Sequence, residues 1–321
     1  MAAAPVLIPP ASAPAFLDRA GWGGAEILPL AGDASFRRYF RVVGSDGTAV
    51  LMDAPPLHED SRPFLAVADH LHQLGFAAPR ILARDLEEGL ILLEDFGDDR
   101  MREALDTDPS REDAIYAQAI DLIRDLHKHP AGDLSPYDMT VYQREAALFP
   151  EWYMPAVGLD VAPGYKEAWD EALAPVARDQ STTVLRDYHA ENIMLLPDGS
   201  LGLLDFQDAL AGHPAYDLVS LLQDARRTVS PELEARMLAY YGALDIAAYA
   251  LLGAQRNAKI LGIFTRLWKR DGKQRYLAFQ PRMWTYMERD LEHPALAPVK
   301  AWFDAYVPVE KRAACWSGHQ A

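Results

Sequence analysis

Leu185-Arg186-Asp187-Tyr188-His189-Ala190-Glu191-Asn192-Ile193-Met194 and, after a short interval, Leu203-Leu204-Asp205-Phe206-Gln207-Asp208 are the two stretches that decide the fold. Phosphoryl transfer needs a carboxylate that orients or deprotonates the acceptor hydroxyl, and oxygen ligands that hold magnesium against the ATP phosphates. Kinases supply these groups as an Asp, a following Asn and a second Asp after the next strand. This order predicts Asp187 as the catalytic base and Asn192 and Asp205 as magnesium ligands.

Short apolar runs flank the polar segment, at Thr183–Leu185 and Leu201–Leu204. Pro197-Asp198-Gly199 lies between them and is typical of a tight turn. The polar groups are therefore expected on loops at the ends of short strands. In the alternative interpretation these residues have no catalytic role. Asp187 is then a turn residue, Asn192 is a cap, and the position of Asp205 is a coincidence.

The first part of the chain is rich in strand patterns. Short β-type runs, separated by turns that contain Gly and Asp, predict an antiparallel sheet from Glu26–Leu30, Tyr39–Val43, Ala49–Asp53 and Ile91–Leu93. Apolar residues recur at helical spacing in Ser61–Leu74, with Ser61 as a candidate N-cap and Gly75 as the stop. Helical patterns then dominate, most clearly over Ala114–His129.

The acidic segment Glu94-Asp95-Phe96-Gly97 follows an apolar strand and marks the expected hinge between two lobes. The sequence therefore predicts an α+β, two-lobed fold. Residues 1–97 are expected to form a small antiparallel-sheet N-lobe that binds the nucleotide. Residues 98–321 are expected to form a mainly helical C-lobe that carries the catalytic loop, the metal ligands and the acceptor site.

The composition disfavours several classes of protein. Lys and Arg number 31 against 47 Asp and Glu, a formal net charge of −16, which disfavours nucleic acid and anionic lipid as partners. Cys315 is the single cysteine, so an intrachain disulfide is excluded. The start lacks a secretory pattern and no apolar run is long enough to cross a bilayer, which predicts a cytoplasmic protein. A monomer is expected.

Two further motifs extend the pattern, Leu126-His127-Lys128-His129-Pro130 and Gly212-His213-Pro214-Ala215-Tyr216-Asp217-Leu218. Together with the stretches around Asp187 and Asp205, they resemble the aminoglycoside phosphotransferase and choline kinase-like superfamily. The resemblance implies a protein-kinase-like fold, with ATP and Mg²⁺ as cofactors. It also implies that His127 and Asp217 support the catalytic loop.

Within that superfamily, these stretches are most similar to bacterial kinases that phosphorylate the anomeric hydroxyl of N-acetylmuramate and N-acetylglucosamine during cell-wall recycling. Met52-Asp53-Ala54-Pro55-Pro56 and Gln255-Arg256-Asn257-Ala258-Lys259 share the likeness. An amino sugar is therefore the expected acceptor. An aminoglycoside, choline or an amino alcohol stays open, as does a non-catalytic nucleotide-binding module.

Two departures from the superfamily pattern affect the charge balance of the predicted site. Leu185 stands where the family's catalytic-loop His lies, and Met52 lies near the position of a strand lysine that pairs with the ATP phosphates. Another cation has to neutralise the phosphates. The candidates are Arg186, beside the base, and the first-lobe arginines Arg37, Arg38 and Arg41.

The remaining predicted site residues fall into two groups. ATP is expected to contact the turn that begins at Gly32, through Ser35, Phe36 and backbone N–H groups, and the hinge at Glu94 and Phe96; a plain hairpin turn and a surface linker are the alternatives. The acceptor is expected to contact Asp187, His189, Arg144, Glu145, Trp152, Tyr153 and Asn257. Core packing is the alternative for the two aromatic residues, support of the loop is the alternative for His189, and a solvated helix face is the alternative for Asn257.

Overall fold

A computed structural model describes residues 8–30 and 36–316, and the chain forms two compact units. The first unit takes the chain up to Ala104 together with Glu191–Asp208, and the second takes Leu105–Ala190 and the chain from Ala209 onward. The predicted lobes therefore differ from these units in residues 98–104 and 191–208. Within the described ranges, no helix is both long enough and apolar enough to span a membrane.

The strands are β1 (Glu26–Pro29), β2 (Arg38–Gly44), β3 (Gly47–Asp53), β4 (Ile81–Asp85), β5 (Leu90–Glu94), β6 (Thr182–Val184), β7 (Ile193–Leu195), β8 (Leu201–Leu203) and β9 (Leu210–Gly212). The α-helices are α1 (Ala13–Arg19), α2 (Arg62–Gln73), α3 (Met101–Thr107), α4 (Glu112–Leu126), α5 (Met139–Ala146), α6 (Met154–Ala156), α7 (Tyr165–Leu173), α8 (Ala215–Leu222), α9 (Pro231–Tyr241), α10 (Ile246–Lys269), α11 (Gln280–Leu291) and α12 (Ala297–Tyr306).

The first unit is built on a five-stranded antiparallel sheet in the order β1-β2-β3-β5-β4. The predicted antiparallel sheet is thus confirmed. The residues that alternate along β2 and β3, including Phe40, Val42 and Leu51, are buried against Phe16 and Leu17 of α1. All of Leu90–Leu93 is buried, which places β5 inside the sheet with both faces covered. Strand β4, which the sequence patterns did not predict, is a half-exposed edge strand with a bulge.

Helix α2 follows the predicted range, but its start differs from the prediction. The side chain of Ser61 makes no capping hydrogen bond, and the carboxylate of Asp60 instead accepts the N–H of Arg62 at 3.0 Å. Gly75 ends the helix as expected, with a φ of +85° that a glycine adopts without strain. The ring of Phe64 on this helix stacks on Phe206 at a centroid distance of 5.1 Å, which anchors the residue next to Asp205.

Strands β7 and β8 form a hairpin within the first unit. Ile193 pairs with Leu203, and the predicted turn lies between the strands, with Gly199 at φ +86° and the Asp198 carboxylate accepting the N–H of Ser200 at 2.9 Å. The N–H of Leu203 donates to the carbonyl of Ala77 at 2.8 Å, which ties the hairpin to the segment before β4. Asn192 precedes β7 and Leu204 follows β8, so both lie at the open end of the hairpin, opposite the turn.

The second unit is mainly helical, as predicted. Helix α4 begins two residues before the predicted Ala114 and ends three residues before the predicted His129, and its apolar stripe is buried. Helix α10 is 24 residues long and is buried over most of its length, because it packs against α5, α8 and α11. Strands β6 and β9 pair with each other, and the polar catalytic stretch leaves β6 at Leu185.

Candidate active site

The catalytic stretch leaves β6 through an unusual backbone conformation. Arg186 has a φ of +70°, in the left-handed region that non-glycine residues seldom adopt. The carboxylate of Asp217 on α8 accepts the N–H groups of Leu185 at 2.7 Å and Arg186 at 2.8 Å. The hydroxyl of Ser220, one turn further along α8, donates to the carbonyl of Arg186 at 3.0 Å. These contacts fit the support role predicted for Asp217.

Asp217 is fully buried, and burial raises its pKa to about 7 although its two backbone donors act in the opposite direction. A buried carboxyl group is costly in an apolar interior unless its oxygens are satisfied by hydrogen bonds. The two N–H groups of the catalytic stretch supply them. These two hydrogen bonds therefore satisfy the buried carboxyl group of Asp217 and also hold the backbone of the catalytic stretch.

Glu145 on α5 is the centre of a buried charge cluster beside the catalytic stretch. Its carboxylate accepts hydrogen bonds from the guanidinium of Arg186 and the hydroxyl of Tyr137, and Lys259 Nζ lies 3.2 Å from Oε1. The Arg186 guanidinium also lies over the Tyr137 ring, 5.6 Å from its centroid. Burial alone would raise the pKa of Glu145, but the charges of Lys259 and Arg186 lower it below its ordinary value.

Asp187 is ionised at neutral pH. Burial would raise its pKa, and the positive charges of Lys259, Arg186 and Arg256 outweigh that effect and lower it to about 2. His189 adds little charge near neutrality, because burial lowers the pKa of its own ring. An ionised carboxylate at this position can accept a proton from a bound hydroxyl group.

Contacts with other parts of the second unit hold two further residues of the catalytic stretch. The hydroxyl of Tyr188 donates to the carbonyl of Ala119 on α4 at 2.7 Å. His189 Nε2 lies 3.0 Å from Arg226 Nη1, which can only donate, so the neutral ring carries its proton on Nδ1. This contact supports a scaffold role for His189, the alternative to acceptor contact.

The predicted magnesium ligands lie together in the first unit. The N–H of Leu204 donates to the carbonyl of Asn192 at 2.9 Å, so Asn192 and Asp205 flank the same end of the β7–β8 hairpin. Asp205 has a φ of +56°, and Gln207 Nε2 donates to its Oδ1 at 3.0 Å. The described residues contain no cluster of three or more His, Cys, Asp or Glu side chains that could hold a metal. One carboxylate and one amide oxygen suit Mg²⁺, which binds through few protein ligands and completes its shell with phosphate and water oxygens.

The three first-lobe arginines have different surroundings. Arg37 Nη2 lies 3.6 Å from Asp205 Oδ1, whereas Arg38 Nε donates to the buried carboxylate of Asp53 at 2.7 Å. Arg41 reaches the segment predicted as the hinge, with Nε 2.8 Å from Asp95 Oδ2 and Nη2 2.8 Å from Asp98 Oδ1. Met52 is fully buried in β3. Arg37 is thus the arginine of this group that lies beside a predicted metal ligand.

The predicted nucleotide residues are only partly within the described ranges. Gly32 and Ser35 lie outside them. Phe36 is exposed and stacks on His58 at 4.8 Å. At the hinge, the Glu94 carboxylate is bonded to Arg80, with Nε 3.0 Å from Oε2, and the Phe96 ring packs so closely on Gly202 that a Cβ there would lie 2.7 Å from it. The side chains of Glu94 and Phe96 are thus engaged within the first unit, which leaves backbone groups for the predicted contact with adenine.

The predicted acceptor residues are not all accessible. Tyr153 is fully buried, and its hydroxyl accepts the indole N–H groups of Trp284 and Trp316, each at 2.7 Å. Asn257 is also fully buried, and its amide group donates to Gln223 at 2.8 Å and Asp290 at 3.1 Å. Burial leaves these two side chains no surface for an acceptor, which contradicts the expectation of acceptor contact.

Trp152 is half-buried and Arg144 is exposed, so both remain candidates for acceptor contact. His127 Nδ1 lies 3.1 Å from the Tyr241 hydroxyl, and burial lowers its pKa to about 4. Tyr241 lies on α9 and not in the catalytic stretch. The hydrogen bond from Tyr188 to the carbonyl of Ala119 joins α4 to the catalytic stretch instead. Loop support by His127 stays a prediction.

Sequence reasoning missed Tyr137, Arg226 and Asp224, the last of which accepts the N–H of Arg226 at 2.8 Å. It also assigned no role to Lys259 beyond its place in the stretch 255–259. Arg256 and Lys259 are three positions apart on α10 and are both buried, at 3% and 9% exposure. The i, i+3 spacing of Arg256 and Lys259 was the available signal, because it places both cations on one face of α10. For the other three residues, no local pattern indicated their contacts.

Comparison with known sequences gives a consistent result. A model of the phosphotransferase enzyme family matches residues 26–252. The N-acetylmuramate/N-acetylglucosamine kinase of Caulobacter vibrioides is 38% identical, over 93% of this chain and 96% of its own length. The enzyme of the same name from Pseudomonas aeruginosa is 40% identical, over 84% of this chain and 85% of its own length.

Solved structures agree on the fold. The crystal structure of the choline kinase LicA from Streptococcus pneumoniae superposes with a TM-score of 0.60, at 14% sequence identity, over 85% of this chain and 93% of that chain. A structure of LicA in complex with AMP superposes with a TM-score of 0.56, also at 14% identity, over 89% and 96% of the two chains. At this level of identity the likeness establishes a kinase-like α+β fold.

Proposed function

The chain belongs to the phosphotransferase enzyme family, and we propose that it is an ATP-dependent kinase that phosphorylates the anomeric hydroxyl of N-acetylmuramate, N-acetylglucosamine or both. The observation that carries the proposal is the ionised carboxylate of Asp187, held among buried cations at the exit of β6. The choice of acceptor rests on the relatives that are named N-acetylmuramate/N-acetylglucosamine kinase over nearly the whole chain. We place the enzyme in the cytoplasm, as a monomer, in amino-sugar recycling from the cell wall.

The reaction is a direct transfer of the γ-phosphoryl group. The C1 oxygen of the sugar attacks the γ-phosphorus of ATP while the bond from that phosphorus to the β–γ bridging oxygen breaks. The hydroxyl proton passes to Asp187, and ADP leaves with the bridging oxygen. An anomeric hydroxyl is more acidic than other sugar hydroxyls, so a carboxylate with a pKa of about 2 is a sufficient acceptor when it is well placed.

Asn192 and Asp205 would hold Mg²⁺, which supplies positive charge to the β- and γ-phosphate oxygens when it is bound. Arg37 lies next to Asp205 and is the side chain that we assign to the role of the missing strand lysine. The hinge from Glu94 to Gly97 would offer backbone groups to adenine. Gly32 and Ser35, which lie outside the described residues, are proposed to contact the phosphates.

The test is product identification. The purified protein is incubated with MgATP and, in separate reactions, N-acetylmuramate, N-acetylglucosamine, choline and an aminoglycoside, and ³¹P NMR follows the products. The expected product is a sugar 1-phosphate, whose phosphorus couples to the single anomeric proton. A 6-phosphate, or turnover of choline or the aminoglycoside alone, would contradict the proposed acceptor.

The Asp187→Asn variant tests whether Asp187 is the catalytic base. It preserves the shape of the side chain but removes the proton acceptor, so we expect kcat to fall by roughly 10²–10⁴-fold with a small change in the sugar KM. A variant that keeps its kcat would rule out Asp187 as the base. Absence of turnover by the wild-type protein with all acceptors would favour a non-catalytic nucleotide-binding module.

A further inference from the structure

Arg256 is a buried cation on α10 whose hydrogen-bond partners are neutral. Its guanidinium donates from Nη2 to the hydroxyl of Ser220 at 2.9 Å, and Nη1 lies 3.5 Å from the carbonyl oxygen of Gln223. Within residues 8–30 and 36–316, it forms no salt bridge with a carboxylate. A buried charge without a directly bonded counter-charge is costly, and an apolar side chain would join α10 to α8 at a lower cost. Packing alone therefore does not explain this arginine.

The hydroxyl of Ser220 connects Arg256 to the catalytic stretch. Ser220 is fully buried on α8. An arginine can only donate, so the Ser220 oxygen accepts from Arg256 and gives its own proton to another acceptor. That acceptor is the carbonyl oxygen of Arg186, at 3.0 Å. A serine inside a helix often bonds to a carbonyl of its own preceding turn, whereas this proton leaves α8 for the catalytic stretch.

The carbonyl of Arg186 belongs to the peptide group that leads into Asp187. The N–H at the other side of this group, that of Asp187, donates to the carbonyl of Leu185 at 2.9 Å. Both polar atoms of the peptide group therefore have a partner, and Ser220 supplies one of them. Because a peptide group is planar and rigid, fixing its orientation also fixes where the Cα of Asp187 lies.

The backbone conformation that Ser220 supports is one that the chain would not keep unaided. The left-handed φ of +70° at Arg186 costs free energy, because this residue has a Cβ. Its N–H donates to Asp217 and its carbonyl accepts from Ser220, so α8 holds both backbone polar groups of this residue. Loss of the Ser220 contact would let the backbone of Arg186 relax and would turn the carboxylate of Asp187 out of its position.

We propose that Arg256 and Ser220 are positioning residues for the catalytic base: Arg256 orients the Ser220 hydroxyl, and that hydroxyl fixes the peptide group between Arg186 and Asp187. The inference rests on the proposed function, because it takes Asp187 as the base. Both side chains act through the backbone that carries Asp187, without contact with the reacting atoms. Their loss should therefore lower the rate of transfer more than the binding of either substrate.

Thr265 on α10 offers a matched control for Ser220. It is also fully buried, and its hydroxyl donates to a backbone carbonyl, that of Leu261, at 2.8 Å. The same hydroxyl accepts a side-chain N–H, that of Gln280, at 3.0 Å. Neither partner belongs to the catalytic stretch. Ser220→Ala and Thr265→Val thus remove the same kind of buried hydroxyl, so a general loss of stability should affect both variants and a loss of positioning should affect Ser220→Ala alone.

Steady-state kinetics with MgATP and the amino sugar form the first arm of the test. Ser220→Ala is expected to lower kcat by about 10- to 100-fold with both KM values within about threefold of wild type, and Arg256→Met should lower kcat at least as much. Because the two residues act as one unit, the double variant should lie within about threefold of the worse single variant. Thr265→Val should keep kcat within about threefold of wild type. If Arg256→Met does not fold, Ser220→Ala decides the test.

The Asp187→Asn background separates positioning from structural support. The peptide group no longer leads into a base in this background, so the addition of Ser220→Ala should change kcat by less than about threefold. A purely structural role for Ser220 would lower kcat by the same factor in both backgrounds, and that result would overturn the inference. A Thr265→Val variant as slow as Ser220→Ala would overturn it as well.

Hydrogen–deuterium exchange of the free protein forms the second arm and needs no acceptor. A peptide that covers residues 185–189 should exchange at least about fivefold faster in Ser220→Ala than in wild type, whereas Thr265→Val should leave its exchange unchanged. Unchanged exchange in Ser220→Ala would contradict the proposed contact whatever the kinetics show. If the wild-type protein makes no sugar phosphate, the proposed function fails, and this arm still decides whether Ser220 fixes the peptide group before Asp187.

Discussion

Arg41→Ala is expected to destabilise the protein, because it removes the positive charge that faces a buried carboxylate of the first unit. Arg41 is held by Asp95, whose side chain is 4% exposed, and by Asp98, whose side chain is 81% exposed. Removing one partner of a buried ion pair costs about 3–5 kcal/mol, whereas an exposed pair contributes about 0–1 kcal/mol. Asp95 keeps the N–H of Gly97 as a donor at 2.9 Å, which reduces the loss. The expected change in the free energy of unfolding is about 2–4 kcal/mol.

The assay is urea-induced unfolding followed by far-ultraviolet circular dichroism, with Asp98→Asn as the control for the exposed half of the contact. Asp98→Asn should cost less than about 1 kcal/mol, and Arg41→Lys should fall between it and Arg41→Ala because lysine keeps the charge but loses the fork of donors. The reasoning would be refuted by an Arg41→Ala variant within about 0.5 kcal/mol of wild type. It would equally be refuted if Asp98→Asn were as harmful as Arg41→Ala.

Three further changes have distinct expected outcomes. Arg37→Ala should raise the KM for ATP or lower kcat strongly, because it removes the cation beside the predicted metal ligand Asp205; unchanged ATP kinetics would return the role to Arg38, Arg41 or Arg186. Asp205→Ala should abolish magnesium-dependent turnover in a folded protein, and near wild-type kcat at saturating magnesium would exclude it as a ligand. Gly262→Ala should cost about 1–3 kcal/mol in unfolding free energy, since its Cβ would lie 2.4 Å from the backbone of Leu148, and a midpoint equal to wild type would contradict that packing.

Local sequence patterns sufficed for the elements that carry strong periodicity. The antiparallel sheet, helix α2 with its stop at Gly75, helix α4 and the turn at Gly199 were all predictable, because each rests on residues that are neighbours in sequence. Strand β4 was not predictable, since it is short and half-exposed, and its pattern is interrupted by a bulge. The cap at Ser61 failed for a similar local reason, as Asp60 supplies the competing carboxylate.

The side-chain environments of the site could not be predicted in the same way. The order of Asp187, Asn192 and Asp205 indicated the chemistry, but the burial of Glu145 and Lys259 depends on how α10 packs against α5, which are far apart in sequence. Long-range packing also decides which aromatic residues are accessible. Tyr153 enters an indole-lined core because Trp284 and Trp316 reach its hydroxyl, and neither partner is near it in the chain.

The backbone shows why the predicted chemistry is concentrated at Arg186 and Asp205. Among the described residues, these are the two non-glycine positions with a left-handed φ, and each costs of order 1–3 kcal/mol that the surrounding contacts must offset. At Arg186, the Asp217 carboxylate and the buried Glu145 hold the backbone and the side chain. At Asp205, the Leu204 to Asn192 hydrogen bond and Gln207 do the same. A glycine would adopt either conformation without strain, but it would remove the guanidinium beside Asp187 or the carboxylate that is proposed to hold Mg²⁺.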